Sequence, residues 1–141
     1  MNAARSNQRS NLLRLSLRGN AVFSSLSGLS FMLGSERVAA ILGDVPPALV
    51  CGVGFQLMVF AAALVWLASR SEISVPLAIG VIAADLMWVV GTAVVVYADV
   101  FVRSGEILAL ILADVVLILA ILQSIGVRRM TGIATEGAVR P

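Results

Sequence analysis

The chain has 141 residues, 60% of them hydrophobic and 13% charged, with a mean hydropathy of +1.01. Soluble domains carry about 45–50% apolar and about 25% charged residues, so this composition excludes an ordinary water-soluble domain and points to a bilayer. The formal charge is +2, and the 10 basic residues are all arginine, placed between apolar runs and at the ends rather than along one surface, which argues against a nucleic-acid partner.

In chain order, Arg5, Arg9, Arg14 and Arg18 precede an apolar run from Ala21 to Leu33, an outline shared with secretory signals. No A-x-A site follows and the run continues as a Ser/Gly-rich helical pattern, so it reads as the first of four spans. The four stretches are residues 12–33, 48–67, 75–98 and 106–125, each able to cross a hydrocarbon core that takes about 20 helical residues. Arg14 and Arg18 intrude on the first, one turn apart, where both can snorkel to the headgroups. The following "SERVAAILGDVPP" reads as a short interfacial helix, with Val38, Ala39, Ile41 and Leu42 toward lipid and Gly43 and Pro46-Pro47 as its stop.

Cys51, the single cysteine, can form neither an internal disulfide nor a metal cluster and reads as a small buried hydrophobe. Ser74 is the expected cap of the third span, with Pro76 in its first turn; Ser104 is the expected cap of the fourth. After Gly126, "VRRMTGIATEGAVRP" lacks periodicity and reads as a mobile cytoplasmic tail over 127–141. The fold class expected is all-α: residues 1–141 as one membrane domain, a four-span transmembrane helical bundle with a short interfacial helix after the first span.

Orientation follows from arginine. With the N-terminus cytoplasmic, that side collects Arg5, Arg9, Arg14, Arg18, Arg70, Arg128, Arg129 and Arg140, leaving Arg37 and Arg103 outside. This positive-inside bias puts both termini in the cytoplasm. Trp66, Tyr97 and Phe101 fall near span ends, as interfacial anchors do.

Two carboxylates interrupt the greasy runs, Asp85 in "VIAADLMWVV" and Asp114 in "LILADVVLIL". Counted from the span ends, Gln56, Asp85 and Asp114 all approach the midplane. The first span offers Asn20, Ser24 and Ser27 on one helical face. These six residues form the expected intramembrane polar layer, with Gly28, Gly52 and Gly91 where backbones approach closely. Of two buried carboxyls with no Lys or Arg at their depth, one or both are expected to hold a proton at neutral pH. The layer then either fastens the helices by hydrogen bonds or relays protons for a transported species. Trp88, one turn from Asp85, reads as packing with an indole N–H free to donate.

Catalysis is not expected. Intramembrane aspartyl proteases carry Gly-x-Gly-Asp on one span, which "ILAD" and "IAAD" do not match, and the chain has no histidine or lysine to serve as an ordinary base or imidazole ligand. No cofactor or metal is expected.

The segments "LLRLSLRGNAVFSSLSG" and "AADLMWVVG" resemble a loose group of small uncharacterised bacterial integral membrane proteins with four predicted spans. The resemblance covers about Leu12 to Arg129; it implies a bacterial inner-membrane location and the same four-helix layout, and no reaction. The expected function is that of a non-enzymatic accessory or assembly subunit of a membrane complex. A small oligomeric proton-coupled transporter or channel using Asp85 and Asp114 is the alternative, and a lipid or quinone binder is the third. Expected partners are membrane lipids and a second copy or a larger membrane protein complex.

Overall fold

The computed structural model describes residues 2–137, with side chains described over 11–131. The elements are five helices: α1 (Asn2–Leu33), α2 (Ser35–Leu42), α3 (Pro47–Ser69), α4 (Val75–Tyr97) and α5 (Arg103–Gly137). No strand occurs among the described residues. α3, α4 and α5 are each long and apolar enough to cross a membrane. Large apolar side chains such as Leu26, Val59, Met87 and Ile118 lie outside, whereas Asn20, Asp85 and Gln123 are buried. That inverts the arrangement of a water-soluble protein and marks a membrane protein.

Local chemistry sets the boundaries. Pro47 opens α3 and Pro76 falls in the first turn of α4, where a missing N–H costs no helical hydrogen bond. Ser74 precedes α4 as expected, but its side chain makes no capping bond. α2 stops at Gly43, whose φ of 114° is a conformation open to glycine and strained for any residue with a side chain. Ser104 lies inside α5 rather than capping it; its hydroxyl donates to the Ile41 carbonyl at 2.8 Å. Beside it the Val102 N–H donates to the Leu42 carbonyl at 2.9 Å, so the α4–α5 turn is tied to the end of α2.

α1 is the central element, antiparallel to both α3 and α5. At one end its Arg14 donates to the carbonyls of Ala68, at 2.8 Å, and Ser71, at 2.5 Å. The guanidinium therefore clasps the α3 C-terminus, where carbonyls lack helical partners, instead of only reaching for headgroups. Toward the other end α1 and α3 approach closely at Gly28 and Gly54: a Cβ on Gly28 would lie 2.8 Å from the Gly54 carbonyl oxygen. Gly52 and Gly91, also expected at close approaches, face open space. Cys51 is half-buried rather than fully packed.

The segment after Gly126, read from sequence as a mobile tail, continues α5 to Gly137. Residues 138–141 of that expectation lie outside the described residues. As far as Met130 the helix is held by tertiary packing that continues past the apolar run. Gly126 abuts Leu13, and Val127 and Met130 pack with the core around Leu13, Leu17, Leu64 and Leu67.

α5 packs on α1 and α4, whereas α3 and α4, although consecutive, hardly touch. The order across the molecule is therefore α3, α1, α5, α4, with an opening between the first and last.

Candidate functional site

Three helices meet at Asp85. Asn20 of α1 donates from Nδ2 to Asp85 Oδ2 at 2.7 Å, and Gln123 of α5 donates from Nε2 to the same oxygen at 3.1 Å. Ser24, one turn beyond Asn20, donates to Asn20 Oδ1 at 3.3 Å. Asn20 and Gln123 are 0% exposed and Asp85 is 3% exposed. In hydrocarbon such groups have no water to turn to, so the bonds of Asn20 and Gln123 to Asp85 each hold two helices in register, and the Ser24 bond, within α1, orients Asn20.

The distribution of bonds on the carboxyl is unequal. Both donors reach Oδ2, and among the described residues none reaches Oδ1. A neutral acid fits this pattern if Oδ2 is the carbonyl oxygen and Oδ1 carries the hydroxyl, which is then a donor without an acceptor. Gln123 Oε1 is likewise buried without a partner.

Asp85 also lines a crevice of about 340 Å³ between α3 and α4, backed by α1 and α5. Ser27 and Gln56 line it too. Among the described residues neither makes a side-chain hydrogen bond, and the same holds for the indole N–H of Trp88, which stands in the same wall. A second cavity of about 480 Å³ adjoins it and shares Phe31, Trp88 and Leu112. Gly91, with no side chain, widens this second cavity.

The sequence-predicted residues thus divide. Asn20, Ser24, Ser27 and Asp85 gather, by direct bonds or around one crevice, and Gln56 lines that crevice from an exposed position on α3 instead of being buried as expected. Asp114 does not join them: it is exposed on α5. Leu112 and Val116 of α5 face the crevice, and Asp114, two residues from each, is rotated by about 200° to the other side. The depths differ as well. Gln123 is level with Asp85, and Asp114 lies nine residues along α5 from it, about 13 Å at 1.5 Å per residue. No hydrogen bond joins the two aspartates.

Gln123 was missed. Its signal was present in the spacing of Ala113, Val116, Ala120, Gln123 and Val127, the buried stripe of α5. That is an i, i+3, i+7, i+10, i+14 series of small residues into which one amide intrudes. Among the described residues no group of three His, Cys, Asp or Glu side chains could hold a metal ion. Comparison with protein families, curated proteins and solved structures gives no match.

Proposed function

We propose that the chain is a four-span, non-enzymatic component of a bacterial inner membrane. It pairs with a second copy of itself along the outer face of α5 and serves as an accessory or assembly subunit of a larger membrane complex. One observation carries this reading: Asp114 is exposed in the middle of the apolar run of α5. An ionisable group at that depth seeks a protein partner, because lipid offers none.

The surroundings of Asp114 favour a second copy. Ile107, Ile111, Ile118, Ile121 and Ile125 are all exposed on the same face. With Asp114 they form an unbroken alternation of four- and three-residue steps, the seam of a left-handed helix pair. Around a two-fold axis Asp114 meets its own equivalent. A neutral carboxyl has one donor and one acceptor, so two of them satisfy each other.

Support for α1 as the fourth span comes from its inverted amphipathicity. Ser16, Asn20 and Ser24 are buried, while Leu15, Val22, Leu26, Leu29 and Leu33 are exposed at heptad spacing. α2 then lies at the outer interface, and Arg14, Arg18, Arg70, Arg128 and Arg129 gather at the cytoplasmic end with both termini. The cation–π contact of Arg70 over Trp66, 4.1 Å from the ring centroid, suits a headgroup boundary.

The transporter alternative needs Asp85 and Asp114 on one path. Their different depths and opposite faces do not favour such a path within one chain.

Cysteine cross-linking in a Cys51→Ser background tests the pairing. Ile111→Cys and Ile118→Cys are expected to form disulfide-linked dimers in native membranes, and Val90→Cys on the outer face of α4 is not. Equal cross-linking at Val90→Cys, or none at either α5 position, would discard the seam. Cross-linking of α5 to a different chain alone would replace the second copy with that partner.

A further inference from the structure

We infer that the crevice between α3 and α4 is a binding site for a flat, uncharged, carbonyl-bearing ring on a long apolar tail, a quinone-class molecule entering sideways from the bilayer.

Unpaired polar groups are the first reason. Among the described residues, Ser27, Gln56 and Trp88 line the crevice without side-chain hydrogen bonds, and the Oδ1 edge of Asp85, itself nine-tenths buried, lacks a partner. Four such groups line one cavity, Asp85 buried, Ser27 and Trp88 half-buried and Gln56 exposed, and in hydrocarbon each costs free energy until a ligand answers it. Three of them carry donor hydrogens whatever the charge on Asp85, so the ligand must present acceptors. Carbonyl oxygens meet that need.

The walls set the rest. Phe23, Phe31, Phe60 and Trp88 give broad aromatic faces against which a planar ring can lie. No arginine lines either cavity, so a phosphate headgroup would find no counter-charge there. The 340 Å³ space matches a ring-sized head, and the adjoining 480 Å³ cavity, almost wholly apolar in its lining, continues as a channel for a tail. Because α3 and α4 hardly touch, the ligand reaches the site from lipid without passing through water.

The site is independent of the α5 seam, so either proposal can fail alone. The full chain in phosphatidylglycerol nanodiscs, carrying Trp66→Phe so that Trp88 is the sole indole, is titrated with decylubiquinone. The expected result is saturable quenching of Trp88 fluorescence. Ala63→Phe fills the crevice from an exposed position on α3 and is expected to abolish the saturable phase while leaving the thermal unfolding midpoint in place. Gln56→Leu removes one donor without touching the packed core and is expected to weaken binding about fivefold, the worth of one hydrogen bond. Quenching that grows linearly with quinone in the bilayer, or that survives Ala63→Phe unchanged, overturns the proposal. Mass spectrometry of the gently extracted protein separates the other source of carbonyls. A phospholipid that stays bound, is lost in Ala63→Phe and resists decylubiquinone would make the crevice a lipid site and overturn the quinone assignment.

Discussion

α5 carries two stripes of nearly identical spacing and opposite fate. The inner stripe, Ala113, Val116, Ala120, Gln123 and Val127, is buried against α1 and α4; the outer one, Ile107, Ile111, Asp114, Ile118, Ile121 and Ile125, is exposed. Each contains one polar residue. Gln123 finds its partner in Asp85 of the same chain, and Asp114 finds none among the described residues. The inner stripe is built of small residues because backbones must come close. The outer stripe is built of isoleucines because its neighbour is lipid or another helix. The comparison teaches that a polar group finds a partner within the chain where small residues let a neighbouring helix approach, although at Gln123 that partner answers Nε2 and leaves Oε1 unpaired.

The sharpest way to break this contrast is to remove each carboxyl in turn. Asp85→Leu strands the amides of Asn20 and Gln123, both fully buried, and is expected to cost about 2–4 kcal/mol of stability. Asp114→Leu is expected to leave monomer stability within about 0.5 kcal/mol, because Asp114 is exposed and makes no side-chain hydrogen bond among the described residues. It should instead abolish dimers in mild detergent. Unfolding in mixed micelles and mass measurement in detergent give the two numbers. Comparable destabilisation by both would remove the distinction.

Packing gives the next test. Ala120 is 1% exposed, so Ala120→Ile overfills the inner face and is expected to cost about 1–3 kcal/mol. Ile121→Ala, one residue on and outward, should shift unfolding by less than about 0.5 kcal/mol and act only on association.

Gln123→Leu is subtler. It removes a hydrogen bond worth about 0.6 kcal/mol in membrane proteins, but it also removes the unpartnered Oε1. A net change within about 1 kcal/mol is expected from chemical unfolding, and a loss as large as that of Asp85→Leu would mean that Gln123, and not Asn20, is the main fastener.

Much of this was legible in the sequence. Prolines and Gly43 announced the end of α2 and the starts of α3 and α4, and of the Asn20, Ser24 and Ser27 face Asn20 is the residue that meets the carboxyl. The placement of Asp114 was not legible by counting depth, since depth was measured from assumed span ends and α5 runs on well past Ile125. Rotation about the helix axis, set by which stripe holds the small residues, separates the two aspartates. Gln123 escaped for the same reason: it sits near the end of the apolar run, where counting suggests an interface, although its face is the buried one.

The smallest effect is the most informative about Asp85. In Asp85→Asn the amide oxygen can accept from Asn20 and Gln123 as Oδ2 does, and the amide NH2 occupies the place of Oδ1 as a donor. If the native group is a neutral acid, the substitution is nearly isosteric, and stability should change by less than about 1 kcal/mol in detergent unfolding. If the native group is a carboxylate, two charge-assisted bonds become ordinary ones, and the loss should exceed about 1.5 kcal/mol. The same variant bears on transport, because asparagine cannot titrate near neutral pH. Any proton-linked flux in liposomes should vanish in the Asp85→Asn, Asp114→Asn double variant if the aspartates form a relay. Flux that persists there would eliminate the relay and leave Asp85 as the fastener of α1, α4 and α5.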